Sequence, residues 1–178
     1  MTGPGWSRSL TTCFIVTAAI GLVGSACRIP PVDPCSSSDA AILVLVSDHS
    51  MWLCDRGRAQ ARYRVALGRG GFGKKVEGDG KTPLGTYGLG APRASARFGS
   101  FIPVSYPTEE QKREGFSGRD VGIHGPDRRL RWAGSLNSWL DWTGGCIALG
   151  SDDELQQVAE FVRERRPHIS IRSGAVSR

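Results

Sequence analysis

The 178-residue sequence has little histidine, with three residues, little methionine, with two, and no block of like charges. Three histidines without paired-ligand spacing make a poor zinc site, so no metal is expected. The chain also lacks zinc-finger spacing, an RNA-binding signature and a basic helix with interleaved aromatic residues, so nucleic acid is not an expected partner. The net charge of +6 is spread along the chain. Such a pattern is typical of a solvated surface, and attraction to an acidic polymer is the alternative.

Long apolar runs are missing as well. The apolar part of the N-terminus, residues 14–23, is shorter than the about 20 residues that cross a bilayer comfortably. Arg8 before it and small residues after it predict a secretory signal over residues 1–26. Cys27 would then be the first mature residue, as in bacterial lipoproteins whose cysteine carries lipid, although Gly24 departs from their pattern. Lipidation of Cys27, plain secretion and a short uncleaved anchor stay open.

Export to the periplasm or cell envelope follows from this N-terminus, with contact to a membrane only through an N-terminal anchor. Prolines and serines without periodicity over residues 27–40 indicate an extended tether. With 24 glycines and 10 prolines, the chain is expected to be rich in turns and strands. Within the predicted domain, residues 41–173, apolar or alternating runs indicate strands at 41–46, 51–54, 59–67, 82–87, 101–104 and, as a final edge strand, 169–172.

Two helices are predicted between these strands, a short polar one at 108–114 and a longer one that ends near Arg166. Ser151 and Glu154 form a capping box at the start of the longer helix, and its apolar face consists of Leu155, Val158, Ala159 and Val162. The glycine-rich stretch 68–81 predicts a mobile loop and not a phosphate cradle, since no GK[ST] sequence follows it. The fold class is therefore mostly β, a small antiparallel β-sheet or sandwich-like domain with one principal C-terminal helix.

The segment around Cys146 indicates a nucleophile. Two glycines precede this cysteine, so the backbone can turn tightly and direct consecutive N–H groups at one point beside the sulfur. Such donors hold the oxyanion that forms when a nucleophile attacks a carbonyl. Upstream, a strand-like run ends in His124 and Gly125, and we interpret His124 as the base that activates Cys146. The short gap between them fits two neighbouring strands joined by a lid-like loop.

A disulfide is the alternative role for Cys146, because thiols oxidise in exported proteins. Cys27, Cys35, Cys54 and Cys146 would be present in the mature chain, and lipidation of Cys27 would leave an odd number. A bridge between Cys35 and Cys54 would then make Cys146 the spare thiol. The alternative for His124 is a hydrogen-bonded core histidine. If the two are paired, the thiol should be alkylated well below the ordinary cysteine pKa of about 8.5.

Together these motifs resemble the catalytic domain of the L,D-transpeptidases, the YkuD type. The family pattern of a His-Gly pair followed by [ST]-x-G-C-[IV]-[RA] occurs here at 124–125 and 143–148. Two further stretches match, EGDGKTPLGTY at 77–87 and SYP at 105–107, so the resemblance covers most of the predicted domain. Many members have arginine where this chain has Ala148. In this respect the chain resembles a subgroup of the family that carries a D-W-T-x-G-C-I-A run.

The resemblance implies a β-rich fold and cysteine acyl transfer on peptidoglycan stem peptides, with no metal or organic cofactor. Cys146 would attack the carbonyl of the stem's diamino acid and expel the terminal D-alanine, and an amine of another stem or of an envelope protein would take the acyl group. His124 would carry the proton, and the Gly125 carbonyl would orient the imidazole. The N–H groups of Gly145 and Cys146 would form the oxyanion hole.

The substrate pocket is expected to include Tyr106, Trp142 and Thr143, whereas core packing is expected for Trp132 and Trp139. With water as the acceptor, the same site would be an amidase or L,D-carboxypeptidase, and the sequence leaves this open. A non-catalytic wall-binding module is the remaining alternative. It predicts binding to the sacculus that falls with salt and does not depend on the cysteine.

Overall fold

A computed structural model of the chain describes residues 33–35 and 42–174. Within them, one sheet has the strand order β4-β9-β1-β2-β3-β8-β7-β6-β5. Its strands are β1 (Ile42–Leu45), β2 (Ser50–Asp55), β3 (Arg58–Ala66), β4 (Gly85–Gly88), β5 (Arg93–Ser95), β6 (Gly99–Pro103), β7 (Gly122–His124), β8 (Ile147–Leu149) and β9 (His168–Arg172). The helices are α1 (Glu109–Arg113) and α2 (Asp152–Arg165), with 3₁₀ segments at Val46–Asp48 and Arg128–Ser138.

The predicted signal 1–26, the lipidation site Cys27 and most of the predicted tether lie outside the described residues. Of that tether, residues 33–35 are described, and they are fixed to the sheet. Cys35 forms a disulfide with Cys54 of β2, and the Asp33 carboxylate accepts the Ala59 N–H at 3.0 Å. The bridge leaves Cys146 as a free cysteine. None of the helices in the described part is long and apolar enough to cross a membrane.

The predicted fold class is confirmed. Most neighbouring strands are antiparallel, and parallel pairing joins β1 to β9 and β7 to β8. The prediction of an edge position for the last strand is wrong, because β9 lies between β1 and β4. Its three central residues are all buried, which fits a strand covered on both faces. The strand β5 and the 3₁₀ segment Arg128–Ser138 were not predicted.

The main helix α2 packs on the sheet as its pattern predicts. Ser151 is its N-cap and accepts the Glu154 N–H at 3.2 Å, while the Glu154 carboxylate accepts the N–H of Gly150 at 2.9 Å. The helix ends at Arg166, whose backbone is left-handed. Its buried face joins the main core, and each such side chain contributes about 1.5–3 kcal/mol of burial free energy, Ala159 less; the face consists of Leu155, Val158, Ala159 and Val162.

The glycine-rich loop 68–81, which the sequence predicts to be mobile, is held by hydrogen bonds at several points. The Asp79 carboxylate accepts the backbone N–H groups of Lys75, Val76 and Lys81, at 2.9, 3.2 and 3.0 Å. It also pairs with the buried ammonium of Lys74 at 2.8 Å. Burial opposes the charged carboxylate, but these hydrogen bonds hold the pKa of Asp79 below its usual range. One side chain thereby fixes the loop that borders Cys146.

Candidate active site

The pairing of two short parallel strands brings His124 and Cys146 into one region. In the register of β7 with β8, Ile123 lies opposite Ile147 and His124 opposite Ala148. Extending this register by one residue places Cys146 beside Gly122, two positions from His124. Residues two apart on a strand point to the same face. Both side chains accordingly line one cleft of about 550 Å³.

Hydrogen bonds fix the segment that leads to Cys146. Asp141 accepts the Leu67 N–H at the end of β3 at 2.7 Å, which attaches the start of this segment to the sheet. Thr143 is buried, and its hydroxyl donates to the carbonyl of Cys146 at 2.8 Å while it accepts the N–H of Gly145 at 3.1 Å. The turn before the sulfur is therefore closed by a threonine side chain.

Gly145 is required where the two sequence motifs meet. Its φ is +129°, and a Cβ there would lie 2.5 Å from the carbonyl oxygen of Lys81 in the second motif. In that motif, the buried Thr82 hydroxyl accepts the N–H of Gly68 at 2.8 Å. The stretches 77–87 and 143–148, separated in sequence, thus form a single packed unit beneath the cleft.

The imidazole of His124 is held in a defined orientation. Its Nδ1 lies 2.7 Å from the carbonyl oxygen of Gly125, the contact that the resemblance implied. Because a carbonyl oxygen only accepts, Nδ1 carries the proton and Nε2 is the basic nitrogen of the neutral ring. Phe98 stacks on the ring with a centroid separation of 3.8 Å, and Trp142 lies at 5.5 Å.

Burial makes the neutral form of His124 the resting form. The side chain is 1% exposed. Burial, assisted by the positive charge of Arg97, lowers the pKa of His124 to about 4, against the Gly125 hydrogen bond and the charge of Asp127, which raise it. At neutral pH the ring is therefore uncharged and able to accept a proton.

The thiol of Cys146 is also neutral at rest. Sγ donates to the carbonyl oxygen of Asp120 at 3.3 Å. Burial, and then the charge of Asp120, raise the pKa of the Cys146 thiol, while the Gly122 N–H, Lys74 and Arg97 lower it. The expectation of a thiol that ionises well below its ordinary pKa is thus wrong in direction, because burial outweighs the nearby cations. The cleft therefore holds a neutral thiol and a neutral imidazole.

The two predicted oxyanion donors differ in their present contacts. The N–H of Gly145 is engaged by the hydroxyl of Thr143, whereas Cys146 itself lies at the cleft surface with Gly144. Gly145 could serve an oxyanion only by sharing its hydrogen with Thr143.

The predicted pocket residues are only partly brought together. Trp142 and Thr143 line the cleft. Tyr106 does not, since it is buried in the core and donates to the carbonyl of Lys74 at 3.2 Å. The prediction that Trp132 and Trp139 pack in the core is wrong, because their side chains are 83% and 61% exposed.

Several cleft residues were missed by sequence reasoning. One lies in β5, two lie between β5 and β6, and one lies two residues before β7, and none of them belongs to a motif: Arg93, Arg97, Phe98 and Asp120. Arg97 binds Asp127, with Nε 2.7 Å from the carboxylate, so it connects the 93–98 segment to the start of the 3₁₀ segment. The cationic and aromatic residues repeated over 93–101 were the available signal.

Comparison with known proteins gives a family. A family model for the L,D-transpeptidase catalytic domain matches residues 39–169. No curated protein sequence matches the chain significantly. Among solved structures, the helical cell shape determining protein Pgp2 from Campylobacter jejuni is 26% identical, with a TM-score of 0.62 over 76% of this chain and 48% of that one.

Two more distant structures share the fold. Bd1075 from Bdellovibrio bacteriovorus is 20% identical, with a TM-score of 0.56 over 79% of this chain and 51% of that one. An L,D-transpeptidase from Enterococcus faecium is 16% identical, with a TM-score of 0.51 over 76% and 50%. This chain spans about half the length of each of these proteins. With the family model covering most of the sequence, the chain belongs to the L,D-transpeptidase catalytic-domain family, YkuD.

Proposed function

We propose that this protein catalyses cysteine-dependent acyl transfer on peptidoglycan stem peptides. The observation that carries the proposal is a free cysteine that shares one cleft with a histidine whose Nδ1 is fixed by a backbone carbonyl. Membership of the L,D-transpeptidase family supplies the substrate class. The name of the Campylobacter relative, a cell shape determining protein, is consistent with a role at the cell wall.

The reaction begins from the neutral pair. As Sγ of Cys146 attacks the carbonyl of the stem's diamino acid, the thiol exchanges the Asp120 carbonyl for Nε2 of His124, which takes the proton. The Gly125 carbonyl stabilises the imidazolium through Nδ1–H. Collapse of the tetrahedral intermediate forms a thioester, and His124 returns the proton to the amine of the departing D-alanine. Such proton transfer contributes about 10²–10⁴-fold to the rate.

The developing oxyanion is held by backbone donors. We assign the N–H of Cys146 as the first donor and the N–H of Gly145 as the second, shared with the hydroxyl of Thr143. Removing one donor of this kind costs about 10²–10³-fold in turnover in other acyl transferases. The cations Lys74 and Arg97 lower the pKa of the Cys146 thiol and so favour negative charge on its sulfur.

The acyl acceptor is an amine of a second stem or of an envelope protein. Water in its place gives an L,D-carboxypeptidase or amidase through the same thioester. Ala148 is buried in β8 and supplies no charge to the cleft, and on this residue we assign the chain to the D-W-T-x-G-C-I-A subgroup. We further propose that residues 41–173 are the catalytic domain, behind an export signal at 1–26 and a tether at 27–40, with Cys27 as the candidate lipid attachment site.

A synthetic stem tetrapeptide tests the proposal, with and without a candidate amine. Release of D-alanine should occur with the native protein and fall by at least about 10³-fold in Cys146→Ala and His124→Gln. His168→Gln, which alters an exposed histidine on β9, is the matched control and should retain activity. A new amide in the product identifies a transferase, and a free tripeptide acid identifies a hydrolase. Full activity of the Cys146→Ala protein would exclude both, and sacculus binding without turnover would favour the wall-binding module.

A further inference from the structure

Two arginines line the cleft without taking part in the proposed proton transfer. Arg93 begins β5, and Arg97 follows it in the turn to β6. Together with Arg69, they face a cleft in which Asp120 is the one acidic residue among those that line it in the described part of the chain. The wall around Cys146 is therefore positively charged.

Aromatic rings position both guanidinium groups relative to the imidazole. Arg97 lies over the ring of Phe98 at 5.0 Å, and Phe98 stacks on His124 at 3.8 Å with planes 14° apart. Arg93 lies over the ring of Phe101 at 5.0 Å, and Phe101 is 6.4 Å from His124 with planes 15° apart. Each arginine is thus one ring removed from the proposed base. Stacking on a ring leaves the planar N–H groups of an arginine available to a carboxylate.

Arg97 is also held by hydrogen bonds at its Nε and at its backbone carbonyl. Its Nε binds the Asp127 carboxylate at 2.7 Å, and its carbonyl accepts the N–H of Arg128 at 3.0 Å. The side chain is nevertheless 64% exposed, so its outer N–H groups face solvent. An arginine held at Nε and by stacking is preorganised for a second acid, since little rotamer entropy remains to be lost on binding.

We propose that Arg93 and Arg97 form a carboxylate-binding subsite that holds an acidic group of the stem peptide beside Cys146. This inference rests on the proposed function and defines what its substrate must carry. A stem tetrapeptide offers the carboxylate of the terminal D-alanine near the scissile bond and, where its diamino acid is diaminopimelate, a second one on that side chain. The terminal one lies a single residue from the attacked carbonyl.

Binding to the Cys146→Ala protein, which cannot form the thioester, tests the subsite by calorimetry. The probes are three synthetic peptides: the tetrapeptide acid, its C-terminal amide, and the acid with lysine in place of diaminopimelate. In the Cys146→Ala background, Arg97→Gln or Arg93→Gln should weaken binding of the parent acid by about 10-fold or more. The peptide that lacks the recognised carboxylate should bind equally weakly with or without the arginine. Arg97→Lys should retain part of the affinity, because lysine keeps the positive charge but lacks the paired N–H donors of the guanidinium group.

Arg62 provides the matched control. It also lies over an aromatic ring, that of Trp52 at 5.0 Å, but it does not line the cleft. Arg62→Gln should leave the affinity for all three peptides unchanged. Equal losses for all three peptides in the Arg93 and Arg97 variants, no loss, or no binding of the parent acid would each overturn the subsite. Failure of the proposed function is a separate result, namely absence of D-alanine release by the native protein.

Discussion

Acidification should lower the free energy of unfolding, because the imidazole of His124 is buried in its neutral form. Burial lowers the pKa of His124 to about 4, whereas histidine in an unfolded chain titrates near 6.5. Between these values the unfolded chain binds the proton and the folded chain does not. The contribution of the buried imidazole to the free energy of unfolding is therefore fully present above pH 6.5 and is lost as the pH falls towards 4. A difference of about 2.5 pH units corresponds to a loss of about 3 kcal/mol.

Urea denaturation of the native protein and of His124→Gln, at several pH values between 7.5 and 4, measures this loss. Carboxylates that titrate in the same range affect both proteins and cancel in the comparison. The free energy of unfolding of the native protein should fall by about 3 kcal/mol more than that of His124→Gln over this range. Parallel curves would show that the imidazole is already charged or solvated in the folded state, and the neutral resting pair would be refuted.

Three further results are expected. The rate of Cys146 alkylation by iodoacetamide should rise with pH to a midpoint above the ordinary cysteine value, since burial raises the pKa of the thiol; a midpoint below it would contradict this. Reduction of the Cys35–Cys54 bridge, which spans 19 residues, should cost about 3 kcal/mol of unfolding free energy in denaturation. Gly145→Ala should lower the free energy of unfolding by about 1–3 kcal/mol, because the alanine would have a positive φ and its Cβ would meet the carbonyl of Lys81. Gly144→Ala should not, because a Cβ at Gly144 points into open space. Equal melting temperatures of the two variants would contradict this.

Segments with strong local signals were predictable from sequence. The apolar run at 41–46 gives β1, and the pair of Ser151 and Glu154 marks the start of α2. Partner choice was not predictable in the same way. The position of β9 between β1 and β4 depends on contacts with residues far away in sequence, which local patterns do not encode.

Short elements escape sequence reasoning for a physical reason. β5 has three residues with no buried alternation, and it exists because Arg93 to Ser95 pair with β6. The 3₁₀ segment Arg128–Ser138 has a break at Gly134 and no regular apolar stripe. Neither propensity nor periodicity identifies such pieces, although β5 carries Arg93, which lines the cleft.

At the candidate site, motif spacing located residues but not their environment. The stretches 124–125 and 143–148 led to Cys146 and His124, and both line one cleft. Their ionisation was not predictable, because burial and the Asp120 carbonyl are properties of the fold. Tyr106 was placed in the pocket because SYP is a motif stretch, yet this tyrosine stabilises the core beneath the loop 68–81.

The most direct test of the central claim is the mass of the protein after brief exposure to a stem tetrapeptide. The native protein should gain the mass of the acyl tripeptide at Cys146, with D-alanine released in equal amount, and the adduct should be cleaved by hydroxylamine as a thioester. Cys146→Ala should gain no mass. D-alanine release without any adduct on Cys146, sustained in the Cys146→Ala protein, would contradict the account.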